Sequence, residues 1–418
     1  MHRFTVYVFP VLTALAVLAG GCSSSSSAPC ADKIGCVDIA PGAPLKLGVI
    51  QALSGKVAPL GNDQLRGLEL ALERRGNKLK GHPVALSIQD TGCAPEGGAN
   101  AALKIVADTQ TVAIFGTTCS SDAATAAEVM SKAGLSMISG NNSAPFLTSL
   151  GGKRAPSWQA GYLRTAPNEE SSGPAAARYA YERLGLRRAA VISDGDIYTK
   201  GLTSGFRAEF ERLGGTIVLD TAVNKADSNM GPVLTAVLNA KPELMFFPLF
   251  QPEGNNLLLQ ARKTKGFEKI TLMSDGALIE TSFLENVQNA AKGMYFVGPT
   301  PPPASPALDK LAAEYKARYK MDPPTSYYTS AFDAANILLD AIEKVATEAP
   351  DGSLRLGRQA LRDALYATKG MEGVSGPMNC NEFGDCAAQR FNVLRLDDPA
   401  AGVDGLKRNV VFTDTAGK

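Results

Sequence analysis

The side chains able to do chemistry in this sequence are hydroxyls, amides, aromatic rings and scattered carboxylates, with almost no imidazole. Ser54-Gly55, Thr117–Ser121, Ser139–Ser143, Asp194–Tyr198, Phe250-Gln251 and Ser274–Gly276 form short clusters, each directly after an apolar run. Hydroxyls, backbone amides and one or two carboxylates in such clusters can hold a small polar molecule. Transforming one needs more. The chain has 2 histidines, His2 and His82, so it offers no His cluster for a metal and little for a Ser-His or Cys-His pair. A nucleophilic Cys119 would need a base, and His82 is the sole candidate. Neither a GxGxxG or GxxxxGK phosphate fingerprint nor a GxSxG elbow occurs. These residues predict a binder, with no enzyme activity, cofactor or metal.

Alternating strands and helices must present these clusters. Leu45 to Leu53 reads as a buried strand, and Leu65, Leu68, Ala71 and Leu72 mark one face of a following helix. Strands over 84–88, 112–115 and 135–138 alternate with helices over 99–107 and 123–132. The pattern restarts with a helix over 175–184. Strands then fall at 189–193, 216–219, 244–250, 270–273 and 294–297, with helices over 203–213, 233–238 and 257–263 between them. Helices follow on Leu308 to Tyr319 and Phe332 to Ile342, and short strands over 391–396 and 409–412 end the chain. Repeated β-α-β alternation predicts parallel sheets covered by helices on both faces, in two similar α/β lobes. Ligands in such sheets collect beyond the carboxyl ends of the strands, where the polar clusters fall. The plainer alternative is local capping: Ser120, Ser121 or Asp122 capping a helix, and Asp275 capping the turn before Gly276.

Composition sets the frame. Hydrophobic residues at 45% and charged residues at 20% describe a globular chain of more than one domain. Lys plus Arg is 42 against 41 for Asp plus Glu, so no global field draws it to nucleic acid. At the N-terminus, Arg3 precedes an apolar run from Phe4 to Ala19, interrupted by Pro10. Leu18-Ala19-Gly20-Gly21-Cys22 resembles a bacterial lipobox, although Leu18 stands one position early. Residues 1–21 are therefore expected to be a lipoprotein signal peptide, Cys22 the lipidated residue, and 22–44 a Ser/Pro-rich tether. The resulting location is the cell envelope, lipid-anchored and facing periplasm or exterior.

Export also makes the cysteines structural. Setting Cys22 aside from the 7 leaves Cys30, Cys36, Cys93, Cys119, Cys380 and Cys386. Sequence alone does not choose among their connectivities. Local pairing, Cys30 with Cys36, Cys93 with Cys119 and Cys380 with Cys386, is the simplest.

Leu45–Gly61 (LKLGVIQALSGKVAPLG), Gly116–Ser121 (GTTCSS), Met137–Pro145 (MISGNNSAP), Leu163–Asn168 (LRTAPN) and Ala190–Gly201 (AVISDGDIYTKG) resemble stretches of the leucine/isoleucine/valine-binding protein family. These are the type I periplasmic binding proteins of ABC importers. The likeness continues through Pro242–Glu253 and Ser274-Asp275-Gly276 to Tyr327–Asp333 (YYTSAFD). It implies two doubly wound parallel-sheet lobes joined by three crossover segments, with the N-lobe at 45–163 and 300–376 and the C-lobe at 166–297 and 377–412. It matches Cys93 and Cys119 to the family's disulfide. It places Ser120 and Ser143 on an amino-acid carboxylate, the Asn141 carbonyl and Asp275 on the ammonium, and Leu60, Tyr198, Phe250 and Tyr327 on the walls. Leu60 replaces an aromatic there, Phe250 a tyrosine and Thr199 a glycine, and Asn141-Asn142 is more polar than usual. The expected function is capture of a small polar ligand, most readily an amino acid of the branched-chain type, for delivery to an ABC permease. A sensory lipoprotein, or a binder of an amide or small carboxylate, is the alternative.

Overall fold

The structure, a computed structural model, describes residues 1–2, 29–302 and 304–414. The signal peptide expected over 1–21, Cys22 and the serine run after it lie outside the described residues, apart from Met1 and His2. Met1–Cys30 stands as a unit by itself, and Ala31–Lys418 forms a second compact unit that contains the whole fold.

The first sheet runs, edge to edge, Lys78–Leu79, His82–Asp90, Leu45–Gln51, Thr111–Gly116, Met137–Ser139 and Tyr162–Arg164. Its last five strands are parallel. Leu45, Leu47 and Val49 pack with Leu68 and Leu72 of the helix Ala58–Glu73 and with Ile337, Leu338 and Ile342 of Tyr327–Val345. On the other face, Ile50 and Ile114 meet Ile105 of Pro95–Val106 and Ala126 and Met130 of Ser120–Lys132. One residue's shift along a strand thus changes the covering layer, as the two-residue period requires. Close approach needs glycine in one place: a Cβ at Gly67 would lie 2.6 Å from that of Ala331 on the facing helix.

The second sheet runs Thr216–Ala222, Arg188–Ser193, Leu244–Phe246, Thr271–Asp275, Tyr295–Pro299, Phe391–Arg395 and Val410–Thr413. Five strands are parallel, and the two that end the chain join antiparallel, so this sheet is mixed. In both sheets the strand order reverses around the first strand of the lobe, Leu45–Gln51 or Arg188–Ser193. Loops at these reversals are the usual ligand crevices.

Two expectations change. The stretch 22–44 is not all tether, because Cys36–Ile39 is a strand antiparallel to Leu354–Gly357. Val37 and Ile39 are buried and Asp38 exposed, an alternation too short to stand out between Gly and Pro residues. The lobe boundary expected at 376/377 also moves. Met378, Cys380 and Cys386 pack in the first lobe's core, so the last crossover falls between Cys386 and Phe391. The small hairpin of Met371–Gly373 and Gly376–Met378 precedes it, its turn held by Asp333, which accepts from the Val374 and Ser375 amides.

A buried ion pair ties this last segment to the first crossover. Arg164, fully buried, donates from Nε to Asp385 Oδ1 at 2.7 Å. It also donates to the carbonyls of Asn142 (3.2 Å) and Ala144 (2.7 Å) and to Thr148 Oγ1 (2.5 Å). Asp385 accepts from Thr148 (2.8 Å) and Ser149 (2.9 Å) as well. Burial pushes its carboxyl up, but the guanidinium and these hydroxyls outweigh that and hold it below the ordinary range. Removing either partner strands the other's charge. Arg164→Ala and Asp385→Ala should each lower the unfolding free energy by ~3–5 kcal/mol in denaturant titration. The double variant should lose much less than the sum.

Candidate ligand-binding site

The loops at the two strand-order reversals face each other. From the first lobe come Leu60, Thr118, Ser120, Asn141, Ser143 and Tyr327, and from the second Tyr198, Phe250 and Ala277. They surround a cavity of about 10 Å³. Asp275, the remaining residue singled out in the sequence, lies behind Tyr198, whose hydroxyl donates to it. Asp275 also accepts from the Ala277 amide at 3.3 Å, so it caps its turn while backing the cleft wall through Tyr198.

The helix Ser120–Lys132 begins at the cleft with Cys119 as N-cap and no side-chain cap. The expected capping roles therefore go elsewhere. Ser120 Oγ accepts from the Ala144 amide at 3.2 Å, Ser121 donates to Asp196 of the second lobe, and Asp122 accepts from Thr91 and Thr117. A helix start without a side-chain cap, next to the Ser120 and Ser143 hydroxyls, is a favourable place for a carboxylate.

Asn141 and Asn142, unusually polar here, stitch loop to loop. Asn141 Nδ2 donates to the Thr118 carbonyl at 3.0 Å, and Asn142 Nδ2 to the Cys119 carbonyl at 2.9 Å. Asn142 Oδ1 accepts from the Thr117 amide (3.1 Å) and the Tyr162 hydroxyl (3.0 Å). Thr118 is itself held between Gln51 Oε1 at 2.7 Å and the Ala52 amide at 2.9 Å. Cys93 and Cys119 form a disulfide that anchors the same loop, and Cys380 and Cys386 form another. Cys30 and Cys36 are each disulfide-bonded.

On the second-lobe side, Asp196 caps the helix Ile197–Arg212 and aims Tyr198 inward, its ring 5.3 Å from that of Phe250. The lobes also meet through Lys225, whose ammonium lies 3.1 Å from Asp196 and 3.1 Å from the Cys93 carbonyl.

Sequence reasoning missed Glu169, which follows the first crossover. It is 3% exposed, and its Oε2 has no hydrogen-bond partner among the described residues. Burial and then the neighbouring Asp275 push it up to about 8, while the Ser143 and Tyr198 hydroxyls partly ease the charge. Asp275 is pushed up to about 7, chiefly by burial. Arg164, the cation near Glu169, is already spent on Asp385. Two buried acids thus stand directly behind the cleft wall, near Ser143 and Tyr198, on a cavity otherwise lined by hydroxyls and a helix start. Attention to residues directly after strands passed over Glu169, because it opens a 3₁₀ turn, Glu169–Ser171, beyond the crossover.

The profile of the family described as Periplasmic binding protein matches residues 44–401. The Leu/Ile/Val-binding protein BraC3 of Rhizobium johnstonii is 27% identical over 357 residues, spanning 85% of this chain and 92% of that protein. A leucine binding protein, LivK, from Thermotoga maritima superposes with a TM-score of 0.73 at 22% identity, over 85% of this chain and 96% of that one. An ABC transporter solute binding protein from R. palustris in complex with benzoate gives 0.71 at 21%, over 84% and 93%. At these identities the two solved structures speak for the fold alone.

The acids make a prediction about pH. Glu169, Asp275 and Asp122, the last pushed to about 7 by burial, keep their protons when folded at pH values where the unfolded chain has lost them. The folded state then binds more protons, so stability rises as pH falls from about 8.5 to about 6. Asp385 runs the other way, its contribution being lost only as pH falls through its depressed folded value. Thermal melts across this range should show the rise, and Glu169→Gln should flatten it.

Proposed function

The chain belongs to the periplasmic binding protein family, as a type I member of the leucine/isoleucine/valine-binding kind, and from that premise we propose that it captures an α-amino acid between its lobes. The observation that carries this is the charge layout of the cleft. Glu169 and Asp275 suit an ammonium, while Ser120, Ser143 and the start of the helix Ser120–Lys132 suit a carboxylate. BraC3 is a Leu/Ile/Val-binding protein, and the walls of Leu60, Phe250 and Tyr327 support an apolar side chain of that class here. Benzoate sits in the R. palustris protein. A carboxylate-only ligand of that sort gains nothing from two buried acids, which favours the amino acid for this chain.

The ligand, in this reading, binds one lobe first, and rotation about the crossovers brings the second down. A cavity of about 10 Å³ is far below the ~300–1,000 Å³ of ordinary ligand sites, so entry requires the lobes to part. Delivery to an ABC permease and lipid attachment at Cys22 complete the proposal. No helix among the described residues is long and apolar enough to cross a membrane. Binding proceeds without turnover, so ligands incubated with the protein are recovered unchanged. A sensory role would use the same cleft, and permease or kinase genes beside its own distinguish the two.

Calorimetric titration with the best amino acid from a thermal-shift screen tests the site. Asp275→Asn should weaken binding by roughly 2–5 kcal/mol, because the ligand's ammonium then lacks its ionised partner. Ser120→Ala should cost about 1–3 kcal/mol, the worth of one hydrogen bond to a charged group. Affinity of the unaltered chain should fall from about pH 8 to about pH 6, since the acids must shed protons to meet an ammonium. Dissociation constants unmoved by both Asp275→Asn and Glu169→Gln would replace the amino acid with an amide or small carboxylate. Separately, mass spectrometry of the envelope form should find diacylglyceryl on Cys22; an unmodified terminus elsewhere overturns the anchor.

A further inference from the structure

Tyr327 has a second face. Besides lining the small cleft cavity, it lines a larger one, of about 550 Å³, on the crossover side of the molecule. All three crossovers contribute to that cavity, through Pro167, Thr300 and Arg390. Leu308 and Ala312 from the first lobe and Leu394 from the second give it apolar walls. Its volume falls within the ~300–1,000 Å³ of ligand sites. Apart from Tyr327, none of the residues named here was singled out for the amino-acid cleft.

One charged group stands within it on a half-buried stem. Lys407, in the helix Gly402–Arg408, has no hydrogen bond or ion pair among the described residues, although it lines the cavity. Burial pulls its ammonium down, and the more distant Asp404 and Asp63 only partly restore it. Arg390 adds a second cation at the exposed mouth. Asp309, Asp322 and Asp404 stand exposed at the rim, with Asp322 2.9 Å from Lys316. An unpaired ammonium facing apolar walls is incomplete without an anion, and an anion with an apolar body would satisfy both.

We propose that this cavity is a second ligand site, for a monocarboxylate with an apolar tail whose carboxylate meets Lys407. The probe is hexanoate, titrated calorimetrically into the full chain, with hexylamine as the same tail bearing the opposite charge. Saturable 1:1 binding of hexanoate is expected, weakened about tenfold or more by Lys407→Gln and unchanged by Asp275→Asn in the cleft. Leu308→Glu, which places a carboxylate on the wall, should abolish it, with the thermal melt confirming that each variant is folded. Three results overturn the proposal: no saturable hexanoate binding, equal binding of hexanoate and hexylamine, or loss through Asp275→Asn with Lys407→Gln unaffected. The outcome is independent of whether the cleft takes an amino acid, because neither probe is one and the cleft variant reports separately.

Discussion

Arg164 and Asp385 form the contact on which the ligand cleft depends. Arg164 grips the carbonyls of Asn142 and Ala144, the residues on either side of Ser143, so one side chain fixes the loop that carries Ser143 to the cleft. Asp385 holds Thr148 and Ser149 further along the same loop. The Arg164 amide donates to the Gly384 carbonyl, and the Cys386 amide returns to the Arg164 carbonyl. Two of the three crossovers therefore start from a single buried ion pair. Such a pair adds little net stability against an apolar replacement, because both charges lose their water. Its use here is geometric: planar guanidinium donors set the loop and the hinge to one another.

The second lobe has the opposite electrostatic character. Its cleft face offers Tyr198 backed by Asp275, with Glu169 from the crossover close by, and Arg164, which offsets Glu169 only in part, is engaged with Asp385. Repulsion between these acids is relieved by a proton or by a cationic ligand group. For the amino acid proposed as ligand, a proton competes with the ammonium for the same carboxylates, which would link binding to pH without a histidine.

Much of this was legible in the sequence. Hydroxyl and aromatic clusters after apolar runs led to Ser120, Asn141, Ser143, Tyr198 and Phe250, because strand ends gather ligands in any doubly wound sheet. The family resemblance added Leu60 and Tyr327, which sit at helix starts where no strand rule points. Arg164 was not legible as a hub, since its partner lies 221 residues away and nothing local announces a buried charge. Glu169 was hidden likewise, a carboxylate beside Glu170 whose burial comes from tertiary packing alone. The departures at Asn141-Asn142 have a structural cause: their amides satisfy the carbonyls of Thr118 and Cys119, so the polarity serves the scaffold.

Opening the cleft must break contacts between the lobes, and the structure separates those that can go from those that cannot. Ser121 to Asp196, Lys225 to the Cys93 carbonyl, and the Thr281 amide to the Pro324 carbonyl at 3.1 Å all cross from lobe to lobe. Each is a hydrogen bond that water can replace once the surfaces part, at a net cost of about 0.5–1.5 kcal/mol or a little more where a charge takes part. The Arg164–Asp385 pair is different, because water does not reach it and its partners all belong to the first lobe and the crossovers. Rotation therefore breaks weak polar contacts and leaves the buried pair whole. Under the closure proposed above, Ser143 stays with the fixed loop while Tyr198 and Asp275 move with the second lobe. For the amino acid proposed as ligand, this puts the carboxylate end on the fixed surface and leaves the ammonium end to draw the moving lobe down.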